Sequence, residues 1–503
     1  MEQLLASIKD ARNDLLRRSD NARSLSSASI RKLPPEVLEE IFASYISEEG
    51  GGYALSLRRH GRRDHISCPT LKLSWVCSFW RSLVLDCPKL WSSLKLSSQV
   101  LFCQPGSFPI FLKYIYNSGE NLLDIHFDGG RFDSSPNARV DKAIDILLDN
   151  SMRWRTAVLL ITNASANDWF SASSRLNARS GSGSPARNPP PGDFSALEHL
   201  EMPQSLSWSD ELSGIFRTFS RCPRLETYHG SSFSLAVSGV DFSHVKELAL
   251  TSSVIGKSFG HLLYRLPELE SLTVANFQLS EDGTDDPLLR EATHYTSALS
   301  KLKLTSRTLQ PEAWRFIRLP SLTELHISIV SADHFANLIY LSSVLLESGC
   351  QLQTLRLYVY CFMEQQQQQA LLDFITLHPS LVNLVISLQS DEEVQCFVQN
   401  LQPKGDPPSR LASNLRSLKL QWTVHLYQDF DQTLCSSICE MVKSRCTVRK
   451  SHATGKLELA GLQSLTLVLS DGDSHNTFSQ FVHTQLSTLE DAGLILDVQS
   501  DYE

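Results

Sequence analysis

The pattern Leu-x-x-Leu-x-Leu, or an apolar equivalent, recurs along this 503-residue chain, usually after a short turn that often holds proline. The clearest copies are Leu269/Leu272/Val274, Leu299/Leu302/Leu304, Leu322/Leu325/Ile327 and Leu352/Leu355/Leu357. Leu381/Leu384/Ile386, Leu415/Leu418/Leu420 and Leu462/Leu465/Leu467 follow. Weaker copies precede them at Leu122/Ile125/Phe127, Leu197/Leu200/Met202 and Val245/Leu248/Leu250. Leu225 opens a copy that fits by its first half only, and Trp154 stands in a further strand-like run. The last residues of a copy alternate apolar and polar, the period of a strand with one covered face. A unit this short cannot bury its apolar face alone, so the copies must stack. Between them lie segments with helical periodicity: Phe216 to Arg221, Lys257 to Arg265, Asp333 to Ser348, Glu364 to Leu377 and Asp429 to Lys443. The expected fold class is α/β, a parallel sheet with outer helices.

These copies resemble leucine-rich repeats. Their spacing varies, for example 24 residues from 245 to 269 against 47 from 415 to 462, and the Asn or Cys that follows the strand in regular repeats is mostly absent. The resemblance therefore implies an irregular solenoid over residues 97–503, its sheet lining a concave side. Exposed strand positions would then include Lys301, Lys303, His326, Arg356, Arg416 and Lys419, beside Thr273, Thr323, Thr354 and Thr466. Several are basic in a chain of net charge −9, so an acidic or phosphorylated protein segment is the expected occupant.

Near the N-terminus, Leu33-Pro34-Pro35-Glu36-Val37-Leu38-Glu39-Glu40-Ile41-Phe42 predicts a helix start. Pro35 suits a first turn, and the glutamates suit the positive end of the helix dipole. Val37, Leu38, Ile41, Phe42 and Tyr45 recur at three- and four-residue spacing, as on one apolar face. A second amphipathic helix is expected through Leu73, Val76, Trp80 and Leu83. A helical unit this short has little core of its own, so it packs on the remaining chain or offers apolar surface to a partner.

The two motifs, with Val76-Cys77-x-x-Trp80 in the second, resemble an F-box; Cys87-Pro88-Lys89-Leu90-Trp91 is similar to the segment that closes F-boxes of mushroom-type fungi. The resemblance covers residues 30–96 and leaves 1–29 as an N-terminal extension. It implies docking on a Skp-type adaptor and, through it, a cullin, with the repeats selecting a protein substrate for ubiquitin transfer. Leu33, Pro34, Ile41, Phe42, Val76, Cys77 and Trp80 would supply the adaptor contacts. The departure is an insert at 47–69, with Gly50-Gly51-Gly52 and basic residues between Arg58 and Arg63, expected as a mobile loop. If the F-box is degenerate, the alternative is a repeat scaffold without a ubiquitin role.

Other function classes find little support. An acidic chain lacks the basic footprint of a nucleic-acid binder, and no stretch approaches the ~20 apolar residues of a membrane helix. Residues 1–8 do not read as a signal peptide, and eleven scattered cysteines read as reduced thiols, so a cytosolic or nuclear setting is expected. Cys435, Cys439 and Cys446 lack the paired spacing of a zinc site. No catalytic constellation, cofactor loop or metal set emerges, and the chain is not expected to be an enzyme. His126, His199 and His326 fall on or beside strands, where a neutral hydrogen-bonded imidazole is expected. Residues 171–192 read as a Gly/Ser/Pro linker, 281–286 as an acidic loop, 365–369 as a glutamine-rich helix face, and 1–20 as a helix packed within the chain.

Overall fold

The computed structural model describes residues 7, 9, 11–19, 29–60, 63–130, 138–161, 193–202, 219, 222–230, 242–251, 253–255, 259–275, 277–279, 295–305, 314, 317–402, 414–422, 432–450, 457–469 and 475–500. Two compact units divide the chain, Met1–Gly192 and Asp193–Glu503. Both pair parallel strands with helices, so the expected α/β class and repeat-like layering are present.

Three helices of the first unit pack together, α1 (Pro35–Gly50), α2 (Pro69–Ser74) and α3 (Ser78–Asp86). Pro35 occupies the first helical turn, and the Pro34 carbonyl accepts from Val37 and Leu38. At the other end Gly51 adopts φ 59°, the left-handed cap that glycine takes without steric cost. The expected loop at 47–69 is instead ordered over most of its length. Strands β1 (Leu55–His60) and β2 (Arg63–Ser67) form an antiparallel hairpin, and β1 pairs in parallel with β3 (Ser93–Ser97). Leu55 and Leu57 carry the insert into the core. Strands β4 (Leu123–Asp128) and β5 (Trp154–Leu160) continue the sheet in parallel beside β3.

Helices α4 (Ser98–Cys103), α5 (Ser107–Asn117) and α6 (Ala138–Asp149) complete this unit. Its strands are entered by a shared device. Buried Trp91, just before β3, donates from its indole to Val84 O in α3; buried Trp154, opening β5, donates to Leu147 O in α6. Both bonds span seven residues and reach a carbonyl near the end of the preceding helix, where intrahelical partners run out; Leu147 O also accepts from Asn150 N. Leu122 is exposed, so Leu123, Ile125 and Phe127 form the buried series of β4. Residues 97–161, expected within the repeat array, fall in the first unit, where β3, β4 and β5 pair in parallel in chain order. Residues 11–19 are helical, and of the apolar stripe expected there Leu15 and Leu16 stay exposed.

In the second unit eleven strands run in chain order, each pairing in parallel with the next. They are β6 (His199–Met202), β7 (Thr227–Gly230), β8 (Glu247–Leu250), β9 (Ser271–Val274), β10 (Lys301–Thr305) and β11 (Glu324–Ile329), followed by β12 (Thr354–Val359), β13 (Asn383–Leu388), β14 (Ser417–Trp422), β15 (Ser464–Leu469) and β16 (Ile495–Ser500). The register aligns the repeat positions into ladders. One runs Leu272, Leu302, Leu325, Leu355, Leu384, Leu418, Leu465, and another Val274, Leu304, Ile327, Leu357, Ile386, Leu420, Leu467. All of these are buried.

The covering helices are α7 (Phe259–Arg265), α8 (Phe335–Ser348), α9 (Gln365–Thr376), α10 (Asp391–Leu401), α11 (Gln432–Arg445) and α12 (His475–Asp491). From α8 onward each packs against the next, as successive crossovers of one hand require. The glutamine run at 365–369 forms the start of α9, as expected for a helix. Cys435 and Cys439 are buried in α11, and burial pushes both the Cys439 and Cys446 thiols up to about 11, as for structural thiols. Residues 171–192 and 281–286 lie outside the described residues.

The incomplete copy at Leu225 has a steric cause. Tyr228 takes the first ladder position and Gly230 the second. A Cβ at Gly230 would come within 2.8 Å of three Tyr228 ring and hydroxyl atoms, so the large residue requires the small one.

His378, in the turn leading to Leu381, gives the fold a pH dependence. It is buried beside Phe374, with ring centroids 5.1 Å apart, and its Nε2 has no partner. Burial disfavours the charged imidazole and lowers its pKa from 6.5 to about 4. The unfolded chain then binds the proton first. Stability from this site is complete above pH 6.5, is lost as pH falls toward 4, and changes no further below that. Linkage sets the loss at up to about 3 kcal/mol. His378→Leu is expected to remove that share of the acid slope, measured by denaturant unfolding at several pH values across this window.

Candidate functional site

Two surfaces carry the residues that sequence singles out. The first is the helical face of the first unit. Helix α1 bears two adjacent apolar stripes. Leu38, Phe42 and Ile46 are buried, whereas Val37 and Ile41 are exposed and line a shallow groove with Glu40, Ser44, Tyr45 and Glu48. Leu33 is half-buried and Pro34 exposed at the helix entrance. Phe42 is fully buried and stacks on half-buried Trp80, their centroids 4.7 Å apart at 57°. It is therefore an interior residue and not a surface contact, because the α1–α3 packing needs its ring. Cys77 caps α3, its sulfur accepting from the Trp80 N–H at 3.4 Å. The Arg81 side chain donates to Ser74 O and ties α3 to α2.

Val76 is 58% exposed and Ile41 40%. Three further apolar side chains share this exposure without having been singled out as contacts: Val37, Trp75 at 69%, and Phe79. A spacing cue separates them. Val37 and Ile41 repeat at four residues, one position out of phase with Leu38, Phe42 and Ile46.

The second surface is the uncovered face of the parallel sheet in the second unit. Register places Lys303, His326 and Arg356 side by side on β10, β11 and β12, with Lys301 opposite Glu324 one step away. Glu324 lies at the centre of this group. Its carboxylate is 2.8 Å from His326 Nε2, 3.6 Å from Arg356 Nη2 and 4.0 Å from Lys301 Nζ. Burial raises the Glu324 pKa, but the His326 hydrogen bond and the surrounding cations outweigh it and hold the carboxyl low. Burial also holds the His326 imidazole below its usual value, against the pull of Glu324. The cluster keeps a positive balance through Lys301, Lys303 and Arg356. Lys419 lies in the same row but beyond Val385. Arg416 is exposed but precedes β14, so it does not belong to this row. Glu324 was not singled out because a glutamate in a polar strand position carries no signal of its own.

Among the described residues, one group has donors close enough to hold a metal ion: His199, Glu201 and His229. No helix among them is long and apolar enough to cross a membrane. No protein-family model matches the chain, and no curated protein does. Among solved structures, a Bacteroides fragilis protein is similar at a TM-score of 0.34 and 10% identity, covering 59% of this chain and 73% of that one. A likeness that low carries no argument about fold or function.

Proposed function

We propose that the chain is a non-catalytic substrate-recognition subunit of a cullin-type ubiquitin ligase, its N-terminal helices docking on a Skp-type adaptor. The observation that carries this reading is the uncovered apolar set Val37, Ile41, Trp75, Val76 and Phe79, on helices whose interior is already closed by Phe42 and Trp80. Those helices have a finished core and still expose apolar side chains, the pattern of a docking face. Leu33, Pro34 and Cys77 support that face by shaping the entrances of α1 and α3. The sheet face around Lys303, His326 and Arg356 then holds an acidic segment of the substrate. Ubiquitin transfer is favoured by the raised effective concentration of the tethered protein. The working compartment is the cytosol or nucleus.

The test is binding of a purified Skp-type adaptor to the full chain and to Ile41→Asp/Val76→Asp. Each exposed apolar side chain is worth about 1.5–3 kcal/mol when covered, so the double variant should bind at least roughly 100-fold more weakly with its melting temperature unchanged. A wild-type chain that captures no adaptor would leave a protein-binding repeat scaffold as the better reading.

A further inference from the structure

We propose that His199, Glu201 and His229 form a site for a late first-row divalent cation, zinc in the first instance, with Glu247 as an adjoining second carboxylate. The parallel register creates the site. Glu201 on β6 stands opposite His229 on β7, and His199 lies two residues before Glu201. Residues two apart along a strand share a face, so all three side chains rise from the uncovered face. One donor atom from each lies within 4.8 Å of the other two. Around a tetrahedral zinc with bonds of about 2.0–2.1 Å, donors stand about 3.4 Å apart. Small rotamer adjustments of half-buried side chains close that difference.

Two further observations point to a ligand. The His229 Nε2 is buried and makes no hydrogen bond; Glu247 Oε1, 3.5 Å away, does not close one. A buried imidazole nitrogen without a partner is uncommon, and a cation would satisfy it. Among the described residues no lysine or arginine pairs with Glu201 or Glu247; their charged-group neighbours are the two histidines. Two carboxylates thus stand beside two imidazoles with no paired cation among the described residues.

The donor set selects the metal. Two imidazole nitrogens suit zinc and its neighbours, whereas magnesium and calcium prefer all-oxygen sites. Three protein donors on an open sheet face leave a coordination position for water or for a donor from a bound molecule. The site lies on the same sheet face as the Lys303–Arg356 row but on different strands, and it does not depend on adaptor docking.

Zinc titration by calorimetry, on the full chain stripped with chelator and kept reduced, tests this. The wild type should take up one more zinc equivalent than His199→Ala/His229→Ala. Because the chain's cysteines can also bind zinc, the difference between proteins is the readout, not the total. Glu201→Gln keeps the shape of the side chain and should bind that zinc at least about tenfold more weakly, with an unchanged far-UV circular dichroism spectrum. This variant decides the matter if the double variant misfolds. Equal stoichiometry and affinity in the wild type and in folded Glu201→Gln would overturn the site.

Discussion

Phe42→Ala is expected to destabilise the first unit by about 3–5 kcal/mol, lowering its melting temperature by roughly 10 °C. Phe42 and Leu38 are fully buried, and Ile46 on the same stripe of α1 is nearly so. Its ring meets Trp80 on α3 at 4.7 Å. Removing it deletes apolar area and an aromatic contact together, and it leaves a cavity between helices that cannot collapse freely. Helix α3 is held at its start by Cys77 and to α2 by Arg81, while α1 is fixed by Pro34 and the Gly51 cap. Ile41→Asp, one residue away on the exposed stripe, should stay within about 0.5 kcal/mol of the wild type. Thermal melts of the two variants separate interior from surface. Equal losses would mean that the two stripes are not distinct. The contrast also fixes how adaptor binding must be probed, because a binding defect in Phe42→Ala would report unfolding.

The repeat strands were legible because each copy carries its own period, and burial in the structure follows it position by position from Leu197 to Leu467. What was not legible depended on pairing across sequence distance. The hairpin β1–β2 was hidden behind Gly50-Gly51-Gly52 and a run of arginines, which read as a loop. Leu55 and Leu57 become a strand only because β3 offers an edge. The helix over 11–19 showed a clean apolar stripe, yet Leu15 and Leu16 find no cover among their neighbours, which periodicity alone cannot reveal. On α1 the five apolar positions looked like one face, and a one-residue phase shift splits them into core and surface. At the candidate sites, single residue types were visible but their company was not. Glu324 beside His326, Arg356 and Lys301, and His199 beside His229, are brought together by register between strands more than twenty residues apart.

Leu355→Ala is expected to cost about 2–5 kcal/mol in the second unit, toward the upper end of that range. Leu355 is fully buried, with Leu325 beside it on one strand and Leu384 on the other. Collapse into the vacated space would need one of those strands to shift. The ladder resists this, since Gln353 and Thr354 donate to Thr323 O while Val382 and Asn383 donate to Gln353 O. A neighbouring strand cannot move without losing bonds on its far side as well. In a stacked array each repeat contacts mainly its neighbours, so the damage should be local before it is global. Amide hydrogen exchange should quicken first in β11, β12 and β13, with β6 and β7 changing less. Lys303→Ala, exposed in the open row, should leave both the melting temperature and the exchange pattern within about 0.5 kcal/mol of the wild type. Uniform acceleration across all strands in Leu355→Ala would instead mean that the second unit unfolds as one cooperative block, with the ladder acting as a single core.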